Sequence, residues 1–281
     1  MKSLVSVVAA VLFLAATVCA QGYEEETVVY SDSRIQAGIR GGLNLTSMSG
    51  GLWGFSELIT EQLADDPDID WTGGYKKSGL SGFVFGGFIN YKINESFSVQ
   101  PELLYVKKGV KSHGTANIIF DESFAVTYTL TEKLNLTYLE IPILAKFNIP
   151  MEGKVRPSVY AGPALGFKLS GAYEFDAVLT DGSDVLRISG KPDISNMKST
   201  DFGIVLGGDV GLSLGQATLV LDIRYTIGMS GQFGETNFDD IPPWDIDETP
   251  GKYPVINRIA ETVPDMKNRA VSITAGVKFD L

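Results

Sequence analysis

From Ala217 to Met229 apolar and polar side chains alternate almost without a break. Ala217, Leu219, Leu221, Ile223, Tyr225, Ile227 and Met229 share one face, and Thr218, Val220, Asp222, Arg224, Thr226 and Gly228 share the other. Successive side chains of a strand point to opposite faces, so this period of two predicts a β-strand. It is about twice the usual strand length of five or six residues. One face suits hydrocarbon, while the other carries both signs of charge.

Seven further segments repeat the pattern, at 34–46, 79–93, 97–110, 134–149, 155–169, 201–214 and 269–281. Phe83, Phe85, Gly87, Ile89 and Tyr91 share a face in the second strand, and Val271, Ile273, Ala275, Val277 and Phe279 share one in the last. Short connections at 94–96, 150–154 and 215–216 follow the even strands, and long ones at 47–78, 111–133, 170–200 and 230–268 follow the odd strands. All short turns therefore lie at one end and all long loops at the other. An even strand number with this asymmetry predicts an all-β fold, an eight-stranded antiparallel transmembrane β-barrel with short periplasmic turns and four long extracellular loops. A soluble lipocalin-like barrel shares the strand count but does not require the strict alternation of loop lengths.

Aromatic positions agree with two membrane interfaces. Tyr91, Phe97, Phe147 and Phe279 fall near the short-turn end, and Phe83, Phe167 and Phe202 near the long-loop end. On the opposite, inward face the alternation places Arg40, Glu102, Glu140, Lys146, Arg156, Asp209, Asp222, Arg224 and Lys278. Charges taken out of bulk water need partners, so these residues are expected to form a salt-bridge network in the lumen. Gly38, Gly42, Gly86, Gly162, Gly166, Gly203, Gly207, Gly211 and Gly276 share the inward face and make room for long side chains in a narrow barrel. The structural reading is a plug; the alternative is an ion path.

The N-terminus has the layout of a secretory signal peptide, with Lys2, an apolar core from Leu4 to Ala16 and the small-residue end Thr17-Val18-Cys19-Ala20. The expected organisation is a signal peptide at 1–20, a short periplasmic segment at 21–33 and one barrel domain at 34–281. Val18 before Cys19 argues against lipidation, and cleavage after Ala20 removes the chain's single Cys. Composition then fits the barrel. Mean hydropathy of only +0.10 follows from spreading apolar residues one in two, and the 31 glycines gain a place in the lumen. A formal charge of −11 argues against nucleic acid, which is bound mainly by neutralising phosphates.

The segments Pro101-Glu102-Leu103-Leu104-Tyr105, Tyr138-Leu139-Glu140-Ile141-Pro142-Ile143-Leu144-Ala145-Lys146 and Tyr160-Ala161-Gly162-Pro163-Ala164-Leu165-Gly166 resemble the PorT-like outer-membrane β-barrel family. Gly41-Gly42-Leu43-Asn44-Leu45 and Arg224-Tyr225 fit as well. The resemblance covers about 34–281 and implies an eight-stranded barrel in the outer membrane of Bacteroidota-type bacteria. The name-giving member is linked to secretion and maturation of exported proteins, whereas most relatives have no assigned activity.

Chemistry is sparse. The single His, His113, adjoins Ser112, but neighbours on a strand face opposite ways and a catalytic Ser needs its base within hydrogen-bond reach. His113 is expected in an exposed loop. Acidic runs at 65–70 and 239–248 offer oxygens for Ca²⁺ without the glycine placement of an EF-hand, and read as solvated loop surface. Phe55, Leu58, Ile59 and Leu63 have helical spacing and predict a short loop helix over 55–64. Trp53, Trp71 and Trp244 fall in long loops, and alternation at Phe124–Leu130 points to an outward extension of the third and fourth strands. The expectation is a monomeric, non-enzymatic outer-membrane barrel without cofactor or metal. Its contacts are membrane lipid and lipopolysaccharide, with a protein or polysaccharide partner at acidic loops. A narrow channel, a secretion accessory and a barrel-embedded hydrolase are the alternatives.

Overall fold

The computed structural model describes residues 33–49, 70–121, 124–191, 197–232 and 266–281. In it, nine strands form one antiparallel sheet: β1 (Ile35–Ser49), β2 (Asp70–Lys92), β3 (Phe97–Asp121), β4 (Phe124–Asn148), β5 (Val155–Thr180), β6 (Val185–Gly190), β7 (Thr200–Leu214), β8 (Ala217–Gly228) and β9 (Lys267–Asp280). Eight of them close a ring in the order β1-β2-β3-β4-β5-β7-β8-β9, with β9 pairing back onto β1 from Gln36↔Asp280 to Ser49↔Lys267. The last residue is held in the closure, since Leu281 N donates to Ile35 O at 3.0 Å and Ser33 Oγ to Leu281 O at 2.7 Å. Closure leaves no sheet edge in the ring.

The wall is a globular protein turned inside out. Ile39 and Leu43 are 66% and 63% exposed, while Arg40 between them is 5% exposed. The same inversion places Phe85, Ile89, Leu103, Ile143, Val159, Leu206 and Leu221 on the outer surface. The aromatics Tyr91, Phe97, Phe147 and Phe279 are exposed at the short-turn end, and Phe83, Phe167 and Phe202 towards the other. In hydrocarbon only fully internal backbone pairing is viable, and the closed ring supplies it.

On the long-loop side the third and fourth strands extend outward, as the alternation at Phe124–Leu130 predicts, and the fifth runs longer than the expected 155–169. β3 and β4 keep one register from Phe97↔Phe147 to Ile119↔Ala125, so residues 111–121 and 124–133 project beyond the ring as paired strands. β5 continues beside β4 to Thr180, and β6 folds back on it from Phe175↔Gly190 to Thr180↔Val185. The β6 strand falls in the segment read from sequence as a loop. β6 is exposed along almost its whole length, so no alternation of buried and exposed positions marks it. The short turns are locally encoded: Asn94 Oδ1 accepts from Ser96 N at 2.9 Å and Phe97 N at 2.8 Å. Gly153 and Gly215 have φ of +96° and +68°, conformations that favour glycine.

Two glycines show how the narrow barrel curves. A Cβ on Gly42 would overlap the Ile273 carbonyl oxygen, and one on Gly162 the Ile143 carbonyl oxygen. Neighbouring backbones thus occupy the space a side chain would need. The proposed signal peptide at 1–20, residues 21–32, the helix over 55–64, Trp53, Trp244 and the acidic runs at 65–69 and 239–248 lie outside the described residues. Trp71 falls within β2.

Candidate functional site

Because side chains alternate, every second residue along the middle of each ring strand enters one narrow lumen. Glu102 on β3, Arg40 on β1, and Asp222 and Arg224 on β8 meet near its middle. Arg224 donates to Glu102 at 2.6 and 3.3 Å, and its Nε reaches Asp222 Oδ1 at 2.9 Å. Arg40 forms ion pairs with Glu102 at 3.4 Å and Asp222 at 3.2 Å, and its guanidinium lies 4.5 Å from the Phe88 ring centre. Tyr160 donates to Asp222, and Thr274 donates to the same carboxylate at 3.2 Å.

Towards the short turns, Gln100 bridges to a second pair. Its amide donates to Glu102 at 2.6 Å and accepts from Lys146 Nζ at 3.2 Å. Lys146 pairs with Asp209 at 2.5 Å, and Ser158 donates to Asp209 at 2.7 Å. Towards the long loops, Lys108 pairs with Glu140 and with Asp201, the latter at 3.3 Å. Asp201 also accepts from Gln232 at 3.1 Å, Ser230 at 3.0 Å and Asn268 at 2.8 Å. Above this polar layer Met48, Val110, Leu134, Leu136, Met197 and Met266 form a buried apolar cluster with Tyr138. Glu132 sits farther out, accepting from Ser112 at 3.0 Å and from Tyr173.

Of the nine lumen residues read from sequence, Arg40, Glu102, Glu140, Lys146, Asp209, Asp222 and Arg224 are buried and joined through these contacts. Lys278 is half-buried, and Arg156 is exposed at the short-turn mouth. Both have inward parity, but strand ends leave the closed cross-section. Lys108, Asp201, Glu132, Tyr138, Tyr160 and Gln232 escaped the sequence reading. Lys108 lies six residues from Glu102 and Asp201 eight from Asp209, so continued alternation marks the first two. Gln232 follows the last residue of β8 and carries no periodic signal.

Burial removes these ions from water at a cost of several kcal/mol each, roughly, unless partners compensate it. Among the described residues four cations and six carboxylates are buried, and the contacts above place a hydrogen-bonding or charged neighbour beside each. An enclosed cavity of about 10 Å³ lies between Asn44, Lys108, Glu140 and Arg224, room for about one water.

His113 is exposed on β3 itself, where its Nδ1 lies 2.9 Å from Thr131 Oγ1, so the expected loop position is corrected: β3 runs straight through it. Ser112 points the other way, into the lumen, to Glu132. No group of three or more His, Cys, Asp or Glu with metal-binding geometry occurs among the described residues.

Solved structures with similar architecture include Neisserial surface protein A, at 12% identity, TM-score 0.36 and coverage of 87% of this chain and 97% of that one. OprG from Pseudomonas aeruginosa gives 11% identity and TM-score 0.36, covering 89% and 98%. The outer membrane protease OmpT from Escherichia coli gives 7% identity and TM-score 0.31, covering 91% and 99%. No curated protein sequence matches the chain. A family model described as outer membrane protein beta-barrel domain matches residues 19–234. With the closed eight-stranded ring, its apolar exterior and its charged interior, the chain belongs to the outer-membrane β-barrel domain family.

Proposed function

We propose that this protein is a non-enzymatic barrel with a plugged lumen, acting at the cell surface through its projecting strands and long loops. The observation that carries this reading is the cross-lumen contact of Arg224 and Arg40 with Glu102 and Asp222. An ion path would have to break these pairs and leave buried charges without partners. An eight-stranded interior is only wide enough for side chains to fill. Residues 1–20 act as a cleaved export signal, the short turns face the periplasm, and the protein is a monomer.

The opposed directions of Ser112 and His113 support a non-catalytic role. The Pro101–Tyr105, Tyr138–Lys146 and Tyr160–Gly166 motifs support a place among PorT-like barrels of Gram-negative bacteria. The decisive test is planar-bilayer recording of the refolded full chain, checked for heat-modifiable migration on gels. Absence of steady single-channel steps is expected. Reproducible unitary conductance of the wild type that changes in size or ion selectivity in a lumen-charge variant overturns the plug.

A further inference from the structure

The chain is acidic overall, yet one stretch of its outer wall is basic. Beyond the apolar band, β2, β3 and β4 present Lys76, Lys107, Lys111 and Lys133 on the outward face. The register sets Lys111 directly opposite Lys133 and Lys76 opposite His113. Lys76, Lys107 and Lys111 are exposed and Lys133 is half-buried. Like charges directly opposite each other on neighbouring strands are destabilising in isolation. The neighbouring carboxylates are on β5: Glu174, opposite Lys133 and bridged to Lys191 at 2.9 Å, and exposed Asp176, opposite Thr131, so four cations face two carboxylates of which one is engaged with Lys191. Lys107 marks the membrane boundary, with its ammonium 4.9 Å from the ring centre of Phe83, which stacks with Phe85 and Tyr105.

The same three strands carry an apolar groove of about 650 Å³ immediately on the membrane side of Lys107. Its outward lining includes Phe85, Gly87, Ile89, Leu103, Tyr105 and Leu139. Gly87 lacks a side chain, and the pairing of β2 with β3 skips from Phe88↔Glu102 to Tyr91↔Val99 beside Pro101, which has no N–H to donate. A groove in hydrocarbon below a row of cations at the interface matches an amphiphile with anionic headgroup and acyl chains.

We propose that the outer wall of β2–β4 is a docking site for a phosphorylated, multiply acylated lipid of the outer leaflet, its phosphates held by Lys107, Lys111, Lys133 and Lys76 and one acyl chain laid in the groove beside Gly87. The proposal rests on the reading that the long-loop end faces outward. Lipid A, which has two phosphates, matches this chemistry. Two cations on one strand face, four residues apart as Lys107 and Lys111 are, lie about 13 Å from each other and can engage separate phosphates.

The test is native mass spectrometry and fluorescence titration of the refolded full chain in detergent with bis-phosphorylated lipid A, monophosphorylated lipid A and phosphatidylethanolamine. The wild type is expected to rank them in that order, with binding to lipid A weakened by salt. Lys107→Gln/Lys111→Gln/Lys133→Gln should lose tenfold or more in lipid A affinity and keep its phosphatidylethanolamine binding. Gly87→Leu fills the groove with room for its Cβ, which would lie 3.5 Å from Gly38 O, and should weaken binding of all three lipids. Unchanged lipid A affinity in the lysine variant, or an equal loss for phosphatidylethanolamine, overturns the site. So does lysine-dependent binding of soluble phosphopeptides with none of lipid A. Binding in detergent does not depend on sidedness, which protease accessibility of intact cells tests separately.

Discussion

Arg224 on β8 grips Glu102 on β3 with two hydrogen bonds, 2.6 and 3.3 Å, across the lumen and across 122 positions of sequence. Between them the two residues tie opposite walls of the barrel. A planar guanidinium suits this because its fork presents two parallel donors to one carboxylate. Removing it strands Glu102 and Asp222 with Arg40 as the remaining guanidinium partner. Arg224→Ala is therefore expected to cost about 3–5 kcal/mol, the usual range for breaking a buried ion pair. Arg224→Lys keeps the charge and loses the fork, so it should fall between. Urea unfolding in lipid vesicles measures both, and a double-mutant cycle with Glu102→Gln should return a coupling above about 1 kcal/mol.

Gly162 gives a sharper steric test. A Cβ there would overlap the Ile143 carbonyl oxygen, a backbone atom of β4, which is paired on its other side with β3 at Pro101↔Ile143. Gly162→Val should destabilise the barrel by about 1–3 kcal/mol or more through overpacking. Gly74, where a Cβ meets nothing within 4 Å, is the matched control and should accept Ala unchanged. Unfolding temperature by heat-modifiable migration separates the two.

The β5–β6 turn carries the pH prediction. Asp181 Oδ1 accepts from Ser183 N at 2.9 Å, Asp184 N at 2.8 Å and Ser183 Oγ at 2.9 Å. The two backbone donors and the Ser183 hydroxyl hold its carboxyl below the ordinary aspartate value. A folded-state pKa below the unfolded one stabilises the turn fully above about pH 3.9, the reference for aspartate. That contribution is lost as pH falls through the lower folded value. The protection factors of the Ser183 and Asp184 amides, taken relative to intrinsic exchange at each pH, should fall in acid, and Asp181→Ala should give low protection at every pH.

The membrane part of this fold was legible because lipid enforces a rule that sequence displays. Residues such as Leu219 and Leu221 must be apolar, and Asp222 and Arg224 must not face lipid. The rule lapses where the solvent changes. Arg156 has the parity of Ser158 and Tyr160, but sits one turn from the mouth and meets water. Within 111–121 and 124–133, lysines on one face and Ser112 and Glu132 on the other blur the apolar period, so only the alternation at Phe124–Leu130 shows the extension, although the backbone pairs from Lys111↔Lys133 to Ile119↔Ala125. Tyr160 was hidden differently: its ring is apolar, yet its hydroxyl donates to Asp222, so hydropathy alone assigns it to neither face. The basic patch on β2–β4 is invisible without register, since Lys111 and Lys133 become neighbours only through pairing.

Asp201 joins the lumen to the chain that leaves β8. It accepts from Ser230, Gln232 and Asn268 and pairs with Lys108, while Tyr138 donates to Gln232 Oε1 at 2.6 Å. One carboxylate thus fixes the first residues after the strand against two walls. Asp201→Ala removes three acceptor contacts at once and leaves Lys108 with Glu140 as its remaining anion. The expected result is a loss of about 3–5 kcal/mol in global stability. It should also bring faster amide exchange at Gln232, whose N–H donates to Met266 O at 2.9 Å. Asp201→Asn keeps one carbonyl acceptor and lacks the charge, so it should recover part of the exchange protection and less of the stability. If both variants exchange like wild type at Gln232, the anchor lies in the backbone pairing with Met266 and Lys198, and the carboxylate serves Lys108 alone.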